Sequence, residues 1–171
     1  MTELTTAKWT IEDYHQMIYT GILDERKVEL LKGKIIEMSP EGIPHSYFSS
    51  EAGEYLIRLL GNRAKVLIGK PITLPNQSEP EPDITIAQRL GKEYLDHHPY
   101  PENIFWVIEY ANSSLEKDLQ IKTQIYGEVG IPEYWVIDLK QKQLTVFRQP
   151  FPKGYQSQFI QQLETISPLS F

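Results

Sequence analysis

The segment from residue 105 to residue 139 constrains this chain most, because its pattern predicts a strand, an amphipathic helix and a second strand. The first apolar run, Phe105 to Ile108, ends on Glu109. A strand buried on both faces would place that carboxylate at its C-terminal end. Ligands of open α/β sheets bind at that end of the strands. The segment therefore predicts an α/β fold with Glu109 as a candidate site residue.

Two charged residues fall on the apolar face of the predicted helix. The helix can be capped by residues 112–114, and glycines at 127 and 130 mark its end. At about 100° per residue, Asp118 and Lys122 share an arc with Leu115, Leu119, Ile121, Ile125 and Tyr126. Other residues already form the solvated face: Glu116, Lys117, Gln120, Thr123 and Gln124. Lys122 therefore either snorkels past the edge of the core or is a site lysine supported by Asp118, and we adopt the second interpretation.

The composition excludes several classes of protein. The chain has 171 residues without a long polar linker, which predicts a single domain over residues 1–171. The absence of cysteine excludes disulfide frameworks and thiolate sites, and it fits a cytoplasmic protein. No apolar run approaches the length of a membrane span. The net charge of −6 argues against tight nonspecific DNA binding, but it does not argue against a metal enzyme.

Periodicity predicts the elements around the central segment. A helix from Thr10 to near Gly21 precedes a hairpin of residues 28–31 and 34–38. A second helix runs from His45 to about Leu60, and its predicted apolar side comprises Phe48, Ala52, Tyr55, Leu56 and Leu59. The remaining β-prone runs predict a strand at 84–86, a surface excursion over 88–101, and two strand pairs, 66–68 with 72–74 and 135–139 with 144–147. No chemistry is predicted for the tail after Pro150.

Three further polar residues lie where a site could form. Prolines at 80 and 82 hold the backbone extended, so Asp83 is placed rigidly at the start of a strand. The alternative is a polar loop that carries three acids. Glu29 lies between Val28 and Leu30, and alternation predicts a solvent-facing strand residue more readily than a site acid. His45 is more readily a cap or surface residue than a ligand or general base.

The acids and the lysine can converge on one point. Neighbouring strands joined by the excursion would bring Asp83 and Glu109 together, and a helix packed on the sheet would aim Lys122 at them. Oxygen donors without cysteine predict Mg²⁺ or Mn²⁺ rather than zinc. Such an ion could activate a water while the lysine orients or deprotonates that water or offsets the developing charge. These parts predict hydrolysis of a phosphodiester.

Three motifs occur in order along the chain. They are ELLKGKIIEMSP over 29–40 followed by His45, PEPD over 80–83, and VIEYANSSLEKDLQIKTQIYGEVGIPEYWVID over 107–138. Together they resemble the Uma-two family of restriction-endonuclease-like proteins, within the PD-(D/E)XK nuclease superfamily. The resemblance implies a mixed β-sheet flanked by α-helices, a divalent metal held by Asp83 and Glu109, and a catalytic lysine.

The chain departs from the usual superfamily pattern at one position. The pattern has lysine two residues after the second acid, but residue 111 is alanine. The resemblance implies that the lysine has moved to the following helix, which makes Lys122 the candidate. It also implies supporting roles for Asp118 and Tyr126, and it carries over Glu29 as an additional acid and His45 as a substrate or water contact.

Three hypotheses follow. The first is a Mg²⁺-dependent DNA endonuclease that acts as a homodimer, because cutting two strands suits two-fold symmetry. The second is a binding or regulatory module that keeps the nuclease fold without turnover. The third is a purely structural interpretation, in which the acids are solvated loop ends. We expect the first.

Overall fold

The computed structural model describes residues 5–162, so both ends of the predicted domain, residues 1–4 and 163–171, lie outside the described residues. The elements are α1 (Ile11–Tyr19), β1 (Val28–Leu31), β2 (Lys34–Glu37), α2 (Ile43–Leu60), β3 (Lys65–Ile68), β4 (Ile84–Ala87), β5 (Ile104–Ala111), a π-helical turn (Lys117–Lys122), α3 (Thr123–Glu128), β6 (Glu133–Asp138), β7 (Gln143–Phe151) and β8 (Gly154–Gln162). Short 3₁₀ turns at Gly91–Leu95 and Pro101–Asn103 occupy the excursion. No helix in this described range has the length and apolar character to cross a membrane.

A six-stranded mixed sheet with the order β3-β4-β5-β6-β7-β8 forms the centre of the fold. β5 and β6 pair in parallel, and the other neighbours in this sheet pair antiparallel. The connection between β5 and β6 contains the π-helical turn and α3. The predicted strand, helix and strand of the central segment are therefore confirmed, and the fold is the mixed sheet flanked by helices that the sequence led us to expect.

Both faces of the sheet are covered. Side chains alternate along β5, so that Val107 packs with Ile125 and Tyr126 of α3, whereas Trp106 packs on the opposite face with Leu56 of α2. The hairpin of β1 and β2 stands outside this sheet, and Leu30 forms an isolated bridge with Glu79 in the irregular segment that precedes β4. α1 begins at a capping box formed by Thr10 and Asp13, as its sequence predicts.

The predicted strand pair of residues 66–68 with 72–74 is wrong. β3 pairs with β4 instead, and Ile72 and Leu74 are buried core residues in an irregular segment. Leu74 closes a tight bridge with Ser78, while prolines at 71 and 75 interrupt any longer ladder. The strand predicted to end at residue 147 is longer, because β7 continues to Phe151 and turns into β8.

The predicted apolar side of α2 is also wrong in part. Its buried residues are Ser49, Gly53, Leu56 and Leu60, whereas Phe48, Tyr55 and Leu59 are about half exposed, at 48%, 58% and 52%. The helix lies so close to β3 that a Cβ added at Gly53 would stand 2.3 Å from Ile68 Cδ1. The small residues Ser49 and Gly53 permit that approach, so they share the buried face with Leu56 and Leu60.

Candidate active site

The pairing of β4 with β5 brings two acids to one end of the sheet. Ile84 lies opposite Ile108, so Asp83 stands beside Glu109 in the next register position. The Tyr110 N–H donates a hydrogen bond of 2.6 Å to Asp83 Oδ2, which fixes that carboxylate against β5. β5 continues to Ala111, so Glu109 lies within the strand and not at its end.

Lys122 reaches the same point from the π-helical turn. Its Nζ atom donates to Glu109 Oε1 at 2.6 Å and lies 3.3 Å from Glu29 Oε2 and 3.9 Å from Asp118 Oδ1. The Tyr126 hydroxyl donates to the same Glu109 oxygen at 3.1 Å. The Lys122 side chain is 3% exposed, so the interpretation in which it snorkels past the core edge is wrong. The purely structural interpretation with solvated acids is wrong as well, because Glu109 and Asp118 are buried.

Glu29 is fully buried, which makes the solvent-facing prediction wrong. All four residues of β1 are buried, because the strand is covered by β2, by the Glu79 segment and by the helical turn that carries Lys117. The Lys117 Nζ atom donates to Glu29 Oε1 at 2.7 Å. Lys117 is therefore a member of the site that the sequence placed on the solvated face. The wider spacing of the π-helical turn is what brings it to this side.

His45 and Asp118 each form a side-chain hydrogen bond that fixes a carboxylate of the site. His45 Nε2 lies 3.0 Å from Asp83 Oδ2, and because a carboxylate only accepts, Nε2 carries the proton. The bond to Asp83 raises the pKa of His45. His45 lies in the first turn of α2, as the cap-region interpretation predicted, but its side chain is largely buried, so the surface interpretation is wrong. Asp118 Oδ2 accepts from the Ser114 hydroxyl at 2.6 Å, and burial raises its pKa.

The site contains more carboxyl groups than lysine ammonium groups. Burial raises the pKa of Glu109 to about 8, even though Lys122 contacts it. Burial also opposes the ionisation of Glu29, but Lys122 and Lys117 outweigh it and lower the pKa of that carboxyl. Burial disfavours the charged form of Lys122, yet the carboxylates of Glu109 and Glu29 prevail and raise its pKa well above the ordinary lysine value. Lys122 therefore keeps its proton at neutral pH, which makes its side chain a fixed positive charge rather than a base.

A small cavity of about 70 Å³ opens onto these groups. It is lined by residues that include Asp83, Glu109, His45, Lys117, Lys122, Asp118 and Glu81. Glu81, which the sequence analysis did not single out as a site residue, is a further acid here, and burial raises its pKa. A larger cavity of about 720 Å³ lies between α1 and the excursion, but it is lined by none of the predicted site residues.

The donor set of the small cavity fits a hard cation. One oxygen of each acid is engaged within the protein, and no side chain among residues 5–162 hydrogen-bonds to Asp83 Oδ1 or Glu109 Oε2. In the same range, no three side chains of His, Cys, Asp or Glu are grouped to enclose a metal. Mg²⁺ needs fewer protein ligands than such a cage, because it keeps several waters and binds through one or two carboxylates together with a substrate phosphate.

Comparisons with known proteins agree with this architecture. The model of the Uma2 family, described as "Putative restriction endonuclease", matches residues 11–171. The fold is also similar to a crystal structure described as "a putative nuclease belonging to DUF820" from Anabaena variabilis, with a TM-score of 0.63. The two chains are 19% identical, and the match covers 81% of this chain and 78% of that one. No curated protein sequence matches the chain.

Proposed function

The chain belongs to the Uma2 family, and from the geometry of its site we propose that it is a divalent-metal-dependent endonuclease that hydrolyses DNA phosphodiester bonds. One observation carries the proposal. Two carboxylates and one ammonium group, from Asp83, Glu109 and Lys122, meet at one small cavity although they come from three separate elements. This combination supports phosphoryl-transfer chemistry.

Asp83 and Glu109 are the residues that would hold Mg²⁺ or Mn²⁺. When bound, such an ion polarises a phosphoryl oxygen and lowers the pKa of a bound water. The excess of buried carboxylates over lysines favours a cation, since Glu109 retains a proton to about pH 8 in its absence. A divalent ion would replace that proton.

The other residues orient these groups. His45 and the Tyr110 N–H hold Asp83 Oδ2, so that Oδ1 is left for the cavity. Tyr126 and Lys122 hold Glu109 Oε1. The Lys122 ammonium, which remains protonated, offsets the charge that develops on the phosphoryl oxygens. Asp118 and Glu29 keep that ammonium in place through their ion pairs.

The proposal includes a second copy of the chain and a cytoplasmic location. Each copy supplies one cavity of this kind, and cutting both strands of a duplex suits a dimer with two-fold symmetry. The absence of cysteine fits a reducing compartment.

A second candidate is a module that keeps the nuclease fold and binds without turnover. Burial of the Lys122 side chain among three carboxylates favours it, because such a group also serves as a structural ion cluster. The net charge of −6 supports the same candidate.

Nicking of supercoiled DNA tests the proposal. We expect cleavage with Mg²⁺ or Mn²⁺, none with chelator, and loss of cleavage in Asp83→Ala and Lys122→Ala variants that retain their circular dichroism spectra. Asp96→Ala and Lys92→Ala, which alter residues of the excursion, are the matched controls. DNA cleavage that survives both Asp83→Ala and Lys122→Ala would contradict the proposed nuclease function. Calorimetry with Mn²⁺ separates the candidates, because binding unaffected by Asp83→Ala favours the module without turnover.

A further inference from the structure

α2 carries two rows of residues with the same spacing, one residue apart. The inner row, Ser49, Gly53, Leu56 and Leu60, is buried against the sheet. The outer row, Phe48, Ala52, Tyr55 and Leu59, has the same steps of four, three and four. Those steps are the spacing by which one helix packs along another. Ala52 of the outer row packs at the edge of the core, whereas its three large apolar residues, Phe48, Tyr55 and Leu59, remain about half exposed.

The outer row is large enough to be an interaction surface. Tyr47 packs edge-on against Phe48, and Ile43 continues the exposed apolar surface toward the start of the helix. Each half-exposed aromatic residue leaves on the order of 100 Å² uncovered. The patch therefore reaches several hundred Å², the size of the largest apolar patches on soluble proteins, which are often functional.

The charges beside the outer row identify the partner. Glu51 and Arg58 are exposed, lie seven residues apart, and flank the row on the side away from the sheet. If a second α2 packs antiparallel, Phe48 lies opposite Leu59 and Ala52 opposite Tyr55, while each Glu51 faces the Arg58 of the other copy. In a parallel pair this flank of one helix would face the Ser49 and Leu56 flank of the other, so Glu51 and Arg58 could not pair across the interface.

We propose that the outer row of α2 is the interface through which two copies of this chain form an antiparallel, two-fold dimer. This inference identifies the surface that binds the second copy of the chain in the proposed function, and it rests on that function. The interface is isologous, because every contact occurs twice. His45 lies in the first turn of α2, so each candidate active site sits at one end of the paired helices.

Sedimentation equilibrium with and without substitutions tests the interface. We expect a dimer for the wild type and a dissociation constant raised about 100-fold by Tyr55→Glu, because a charge would replace a central aromatic contact. Leu95→Glu, at an exposed apolar residue of the excursion, is the matched control and keeps the dimer. A wild type that stays monomeric at about 100 μM, roughly 100-fold above a dissociation constant of about 1 μM, would overturn the proposal. A Tyr55→Glu variant that dimerises as the wild type does would also overturn it.

Charge reversal tests the antiparallel arrangement. Glu51→Arg and Arg58→Glu each weaken the dimer, and the variant with both substitutions restores it, because the pairs re-form with exchanged signs. Failure of the double variant to recover would overturn the arrangement. The measurement requires neither DNA nor metal. A dimer that does not cut DNA would contradict the nuclease proposal alone, and an active monomer would contradict the interface alone.

Discussion

Lys122 places its Nζ atom 2.6 Å from Glu109 Oε1, although Lys122 belongs to a helical turn and Glu109 to a strand. The superfamily pattern would carry both groups on the same strand, but that strand has alanine at position 111. The contact shows that a lysine on the following helix reaches the second acid of the site. Its ammonium is also surrounded by Glu29 and Asp118, which keep it charged.

Removing the Lys122 charge should abolish most of the cleavage. Lys122→Met keeps much of the side-chain volume but loses the ammonium, and we expect single-turnover cleavage to fall on the order of 10²- to 10³-fold. Lys122→Arg should recover only part of this loss, because the larger planar guanidinium does not fit the same buried position. Lys92→Met is the control on an exposed lysine. Cleavage by Lys122→Met at the wild-type rate would contradict the role.

Asp83 should control metal affinity. Asp83→Asn preserves the shape and the hydrogen bond from Tyr110 but removes the charge, so Mn²⁺ affinity measured by calorimetry should fall more than about 100-fold. Asp96→Asn, on the excursion, should leave the affinity unchanged. Equal Mn²⁺ affinity in the wild type and the Asp83→Asn variant would place the metal elsewhere.

The sequence could predict features that depend on a local pattern, but it could not predict features that depend on long-range packing. The buried position of Lys122 was predictable, because a charge on an apolar helical arc is visible within a few residues. Glu29 was misplaced, because its burial depends on Lys117 and on the bridge from Glu79, both distant in sequence. The face of α2 was misassigned for a similar reason, since contact of Gly53 with Ile68 outweighs the larger apolar area of the outer row.

The pKa of Glu109 should make stability depend on pH. In the folded protein the pKa rises from 4.5 to about 8, so between these values the folded state holds a proton that the unfolded chain has released. The free energy of unfolding therefore falls as pH rises through this window, by up to about 1.4 kcal/mol per pH unit. Below pH 4.5, the pKa of this carboxyl in the unfolded chain, the contribution of Glu109 to the free energy of unfolding is fully present.

Urea unfolding at pH 5, 6, 7 and 8 in chelator measures this dependence. Glu109→Gln cannot ionise, and we expect its free energy of unfolding to decline less than that of the wild type between pH 5 and pH 8, with the remaining decline due to the raised pKa values of Asp118 and His45. Glu102→Gln, at an exposed acid, should retain the wild-type profile. A Glu109→Gln profile parallel to that of the wild type would show that Glu109 does not titrate in this range.

Gly127 should be needed for α3, the helix that follows Lys122, to pack against the start of β8. A Cβ at this position would stand 1.9 Å from the Gly154 carbonyl oxygen, so α3 and the start of β8 would have to separate. We expect Gly127→Ala to lower the free energy of unfolding by about 3 kcal/mol. Gly42→Ala, whose nearest neighbour would be 3.9 Å away, should cost less than about 1 kcal/mol. Equal denaturation midpoints for the two variants would refute the close approach.

Lys117 should contact a phosphate of the substrate. Its Nζ atom bonds to Glu29, its side chain lines the cavity, and it keeps 22% exposure, so it is the more accessible of the two lysines that hold Glu29. A lysine that neutralises one phosphate contributes about one counterion to the salt dependence of DNA binding. In an Asp83→Asn background, Lys117→Met should weaken DNA binding for all sequences and reduce the slope of log K against log salt by about one.

Fluorescence anisotropy between 50 and 200 mM salt gives this slope, over the range in which phosphate contacts weaken most visibly. Lys92→Met in the same background is the matched control and should keep the parent slope. Loss of the Glu29 ion pair alone would lower the free energy of unfolding without changing the slope. A Lys117→Met variant with the parent slope and lower stability would therefore assign Lys117 to holding Glu29 rather than to holding the substrate.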